Sequence, residues 1–109
     1  MKHYVYVISD QQNRCKIGYA RNPKSRLSDI QVGNADELHI DFAQPCASKS
    51  RAQMMERYLH CILKRFKTRG EWFSVDPKIV RFEIKKLCVA NRKKKIRLED
   101  IKKMESSRD

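Results

Sequence analysis

Apolar and β-branched residues crowd the first stretch of the chain, Tyr4-Val5-Tyr6-Val7-Ile8. They recur in a second run, Cys15-Lys16-Ile17-Gly18, after the polar Asp10-Gln11-Gln12-Asn13. Two such runs around a polar turn predict a β-hairpin. Strand alternation puts Tyr4, Tyr6 and Ile8 on one face and Val5 and Val7 on the other, and lets Tyr6 and Lys16 project from the same side. Both faces of the first run are largely apolar, so the pattern alone does not say which one meets the core.

Further along, Asn22 and Pro23 supply an N-cap and a first helical position, Leu27 and Ile30 are spaced as a buried stripe, and Gly33 offers a left-handed stop. Arg26 rides on this helix. Residues 38–42 alternate apolar and polar, as a half-buried strand does, and Pro45 is expected to end it. From Ser48 to Phe66, Ala52, Met55, Leu59, Ile62, Leu63 and Phe66 recur three and four apart and predict an amphipathic helix. Glu56 and His60, four apart, stack on one face of it beside the apolar stripe. Residues 71–75 form a short aromatic run that admits a small extra strand, with Trp72 and Phe73 read as core plugs. Asp76-Pro77 then caps a last helix with Ile79, Val80, Ile84, Leu87 and Cys88 inward. The order β-β-α-β-α-α predicts an α/β (α+β) fold, a small central mixed or antiparallel three-stranded sheet flanked by helices.

A chain of 109 residues has room for one core, expected over residues 1–91. Residues 92–109 read as a basic tail opening with Arg92, Lys93, Lys94 and Lys95, either a solvated end or an arm that grips phosphates. Lys and Arg number 25 against 13 Asp and Glu, and the resulting charge of +12 favours a polyanionic partner, nucleic acid above all. No segment is apolar over the length a bilayer demands and no leader-like stretch opens the chain, so a cytoplasmic protein is expected. The four cysteines lack the C-x-x-C spacing of a zinc knuckle or redox motif and read as reduced thiols; Cys61 and Cys88 act as small hydrophobes of helical segments.

Taken together, Tyr4-Val5-Tyr6, Lys16-Ile17-Gly18, Arg26, Glu56 and Glu71-Trp72-Phe73 resemble the GIY-YIG nuclease superfamily, and most closely its phage-associated branch, over roughly residues 3–90. None of these motifs is specific alone; their order and spacing carry the resemblance. It implies a metal-dependent DNA endonuclease that hydrolyses phosphodiester bonds, at work inside a cell such as an infected bacterial host. By the same resemblance Tyr6 activates the attacking water and Arg26 grips the phosphate. Glu56 holds one Mg²⁺ or Mn²⁺ ion. Lys16, standing where many relatives carry a second tyrosine, lowers the pKa of Tyr6 or touches the phosphate. Tyr4, Tyr19, His60 and Glu71 are supporting positions.

The chemistry of these side chains agrees with those roles. A phenol with an ordinary pKa of about 10 needs nearby cations to become a base near neutrality. A guanidinium fork matches the non-bridging oxygens of a phosphate. A carboxylate on an otherwise apolar helix suits a hard divalent cation completed by water. One such site cuts one strand, so a double-strand break needs a second copy or a targeting protein. The alternative is a catalytically inactive nucleic-acid or protein binding module of phage or mobile-element origin, a reading that Lys16 keeps open. Selection for RNA binding by charge alone is a third. No helix-turn-helix or finger pattern offers a reader of bases.

Overall fold

The computed structural model describes residues 2–93 together with Ile101, Lys103 and Glu105. β1 (His3–Ser9) and β2 (Cys15–Ala20) form the expected hairpin, paired antiparallel from Tyr4 opposite Ala20 to Ser9 opposite Cys15. Asp10 closes its tip. Its carboxylate accepts from the backbone N–H of Gln12 (2.8 Å) and Arg14 (3.0 Å) and from Nε of Arg14 (2.8 Å). Burial by itself would raise the pKa of Asp10, but these donors hold it below the usual carboxylate range. Asn13 takes a left-handed backbone, φ 58°, which asparagine tolerates better than most residues.

α1 (Pro23–Val32) starts where Oδ1 of Asn22 accepts from the N–H of Ser25 at 3.2 Å. β3 (His39–Cys46) follows, then α2 (Lys49–Ile62), whose N-cap Ser48 accepts from the N–H of Arg51 at 3.2 Å. After a 3₁₀ turn (Lys64–Phe66) come β4 (Lys67–Arg69), β5 (Trp72–Phe73) and α3 (Pro77–Lys93). The result is an α+β fold with a five-stranded sheet in the order β3-β1-β2-β5-β4, antiparallel throughout.

Four local expectations are corrected. The sheet has five strands, not three: β4 is three exposed polar residues and β5 a pair of aromatics, Trp72 and Phe73, each too short for a period to show, and they fold back on each other through Gly70 at φ 57°. β3 runs through Pro45 to Cys46 because it is a sheet edge paired only with β1, where the missing proline N–H breaks no ladder. Gly33 ends α1 at φ −96°, ψ 15°, outside the left-handed region, with its N–H on the carbonyl of Ile30. α2 stops at Ile62, so Leu63 and Phe66 bury themselves from the turn that follows.

Strand alternation sorts the sheet into two faces. Val5, Val7, Cys15 and Ile17 pack with Ala52, Met55 and Leu59 of α2 and Val80, Ile84 and Leu87 of α3. Tyr6 and Ile8 turn the other way, with Leu38, and are covered by Leu27 and Ile30 of α1 and by Trp72. Cys15 is fully buried among apolar groups, which with nearby carboxylates pushes its thiol up to about 12 and leaves it unreactive. The cysteines form no disulfide. At the C-terminal end Ile101 is fully buried and the Glu105 carboxylate ion-pairs with Arg57 of α2, its Oε2 lying 3.1 Å from Nε. No helix among the described residues is long and apolar enough to cross a membrane.

Candidate active site

β5 is so short that it pairs with β2 only at Cys15 and Lys16. The N–H of Ile17 still reaches the carbonyl of Glu71 at 3.2 Å, and beyond that point, among the described residues, no strand adjoins β2 on this side. A cleft of about 350 Å³ occupies the open edge, walled by Tyr6, Tyr19, Ala20, Arg26, Glu56 and Glu71. The two faces of the sheet meet here. Tyr6 and Arg26 arrive from the α1 side, Glu56 from the α2 side, and Glu71 from the turn that leads into β5.

Tyr6 is directly opposite Gly18 in the hairpin, and its ring lies across that glycine. A Cβ at position 18 would sit 2.6 Å from Cζ of Tyr6 and closer still to the hydroxyl oxygen. The glycine of the second run is thus explained by a close approach of side chain to backbone. Tyr6 is only 1% exposed, so water reaches it from the cleft or not at all.

Charge in the cleft is unevenly matched. Burial raises the pKa of Tyr6, and the carboxylates of Glu71 and Glu56 raise it further; a hydrogen bond with Arg26 and that residue's positive charge act in the opposite direction. The net result is a neutral phenol hydrogen-bonded to a guanidinium that the same bond keeps charged. Glu56 is pushed up to about 7 by burial and by the neighbouring Glu71, against the weaker pull of Lys16 and Arg57. Two carboxylates that share one cleft wall form an oxygen donor set suited to a hard cation. Mg²⁺ in particular uses one or two carboxylates and takes its other ligands from water and phosphate. Among the described residues no group of three or more His, Cys, Asp or Glu is arranged as an all-protein cage.

The remaining candidates are placed as follows. Nζ of Lys16 is ion-paired with Oε1 of Glu71 at 3.0 Å and stands 6.0 Å from the centre of the Trp72 ring, so its charge meets the cleft through Glu71. Nε2 of His60 is 2.9 Å from the carbonyl oxygen of Ile17, and its ring meets Phe73 edge-on at 4.9 Å between centroids. His60 therefore fastens α2 to β2 beside the cleft. The hydroxyl of Tyr19 accepts from Nε2 of Gln53 at 2.9 Å, which holds the ring in the cleft wall, a part played by Gln53 that nothing in the sequence pattern signals. Tyr4 is half-buried on β1, two residues from Tyr6 and on its face. Arg92 and Lys93 close α3, while Lys94 and Lys95 lie outside the described residues. A second opening, lined by Tyr19, Gln53, Met54, Glu56 and Arg57, shares Tyr19 and Glu56 with the first.

Residues 3–88 match the T5orf172 domain, a phage-associated domain related to GIY-YIG-like or HNH nuclease-type folds. No curated protein and no solved structure matches the chain.

Proposed function

The chain belongs to the T5orf172 domain family, and from that premise we propose that it is a metal-dependent DNA endonuclease that hydrolyses phosphodiester bonds at a GIY-YIG-like site. The observation that carries this reading is the single cleft into which β1, α1, α2 and the β4–β5 turn each deliver one polar side chain, Tyr6, Arg26, Glu56 and Glu71. Those side chains divide the labour of hydrolysis between them.

Arg26 binds the non-bridging oxygens of the phosphate and meets the charge that builds there as water attacks. Tyr6 holds that water and, once its own phenolic proton has passed to solvent, takes the water's proton as phenolate. The phenol is neutral in the free protein, and two of the influences that keep it so are the charges on Glu71 and Glu56. Whatever neutralises those carboxylates removes two of the influences that oppose Arg26 and leaves burial, the largest, still favouring the neutral phenol. Glu56 would hold one Mg²⁺ or Mn²⁺ ion, which when bound supplies Lewis-acid stabilisation of the leaving oxygen. Glu71, paired with Lys16, keeps that lysine's positive charge at the margin of the phosphate site.

The test is incubation of supercoiled plasmid with the protein and Mg²⁺ or Mn²⁺. Relaxed circles should form with the wild type, and Glu56→Ala should make none while binding DNA as tightly. Tight binding by a wild type that never nicks under any divalent cation would replace the endonuclease by a binding module.

A further inference from the structure

A second polar cleft, of about 430 Å³, opens near the tip of the β1–β2 hairpin, walled by Asp10, Arg14, Asn34, Thr68, Arg69 and Trp72. Its one carboxylate is already neutralised: Asp10 is 2% exposed in its side chain and committed to Arg14 and to two backbone N–H groups. That commitment fixes Arg14, which remains 42% exposed. Arg69 stands opposite Trp72 on the short β4–β5 ribbon, and the hydroxyl of Thr68 donates to the Trp72 carbonyl at 3.2 Å, so the far wall is also set in place. The loop behind the cleft is tied down by Gln31, whose Oε1 accepts from the N–H of Leu38 at 2.8 Å and whose Nε2 donates to the carbonyls of Asn34 and Asp36.

This cleft adjoins the first. Trp72 follows Glu71 in the chain, and Lys16 spans the gap between them, 3.0 Å from the carboxylate and 6.0 Å from the indole centre. A polyanion lying along this margin would meet Arg26, Lys16, Arg14 and Arg69 in turn, beside a half-buried indole.

We propose that the second cleft binds a nucleotide of the same DNA strand, next to the phosphodiester that is cut, with its base on Trp72 and its phosphate between Arg14 and Arg69. The position along the strand rests on the endonuclease reading; the ligand chemistry does not. Guanidinium pairs suit phosphate oxygens, every base offers a π-face to an indole, and the volume is that of a small-molecule site. Such a grip fixes register without reading sequence, which fits a sequence in which no helix-turn-helix or finger pattern is found.

Trp72 is the only tryptophan in the chain, so its emission reports this cleft directly. Wild-type protein in EDTA is titrated with an octathymidylate and with an abasic oligomer carrying the same phosphates, while binding is followed in parallel by the anisotropy of a labelled strand. Octathymidylate should quench the emission and the abasic strand should not. Arg69→Ala should weaken binding roughly tenfold and flatten its salt dependence, and Arg69→Lys should recover part of the loss. Octathymidylate that binds without changing Trp72 emission, equal quenching by both strands, or an Arg69→Ala variant that binds like wild type would each overturn the subsite. Plasmid nicking that persists alongside any of those results leaves the endonuclease reading standing. Absence of both binding and nicking removes the two together.

Discussion

The two faces of the sheet are built for different purposes. One is sealed by α2 and α3 around a continuous apolar cluster from Val5 to Leu87, while the other is covered by α1, a helix with no fully buried residue. Tyr6, Lys16 and Arg26 all belong to the thinly covered side. Stability is concentrated where helices pack densely, and the side chains proposed to act on the phosphodiester sit where little has to be displaced to reach them. Glu56 is the exception, since it reaches the cleft around the sheet edge from the well-packed side.

This contrast can be broken by one variant on each side. Arg26→Ala should reduce nicking about 10²–10³-fold, or about 3–4 kcal/mol of transition-state stabilisation, because a donor aimed at developing charge is lost. Its urea midpoint should move little, as Arg26 is exposed and the phenol it leaves behind lines the cleft. Leu59→Ala should do the opposite. Leu59 is fully buried in the thick cluster, so truncation should cost about 3 kcal/mol of stability while the folded fraction still nicks at the wild-type rate. Equal effects of both variants on both readouts would show that the division between the faces is false.

Gly18 sharpens the same point because its role is local to the site. Gly18→Ala places a methyl against the Tyr6 ring, and the overlap should cost about 2 kcal/mol in denaturant unfolding. It should also suppress nicking beyond what the stability loss explains, since the phenol must swing away from Arg26. Alanine at Gly33, where nothing lies within 4 Å, should be nearly silent in both assays.

Much of this was legible because the signals were local. The hairpin, the Asn22 cap with Pro23, and the stripe of α2 each depend on residues adjacent in sequence. β5 falls in the aromatic run that admits a small extra strand, but β4 was not legible, because three exposed polar residues carry no period and gain their pairing only from Gly70 and β5. The passage of β3 through Pro45 depends on its being an edge strand, which is a property of the whole sheet. Tyr6, Arg26, Glu56 and Glu71 could be singled out by residue type and order. The geometry that joins them rests on how short β5 is, and the pairing of Lys16 with Glu71 on how the β4–β5 turn folds; neither is written in the pattern of hydrophobic positions.

The smallest effect is the one that ties the two faces together. Glu56 is held up to about 7 by burial and by Glu71, so the folded protein prefers its neutral form. The sign follows directly. Below the ordinary glutamate range Glu56 is protonated in folded and unfolded chains alike and imposes no penalty; as pH rises toward about 7 the unfolded chain ionises first, and folding becomes steadily less favourable. Above about 7 the penalty is complete. Glu56→Gln should therefore be more stable than wild type by on the order of 1 kcal/mol at pH 8, with the difference shrinking to nothing near pH 4. Thermal unfolding across that range measures it. Millimolar Mg²⁺ at pH 8 should close the gap by raising the wild-type midpoint alone, because a cation held by Glu56 stabilises only the chain that has the carboxylate. A gap that is constant with pH and indifferent to Mg²⁺ would mean that Glu56 is an ordinary helix-surface carboxylate, and the cleft would lose its only candidate for binding a cation from the α2 side.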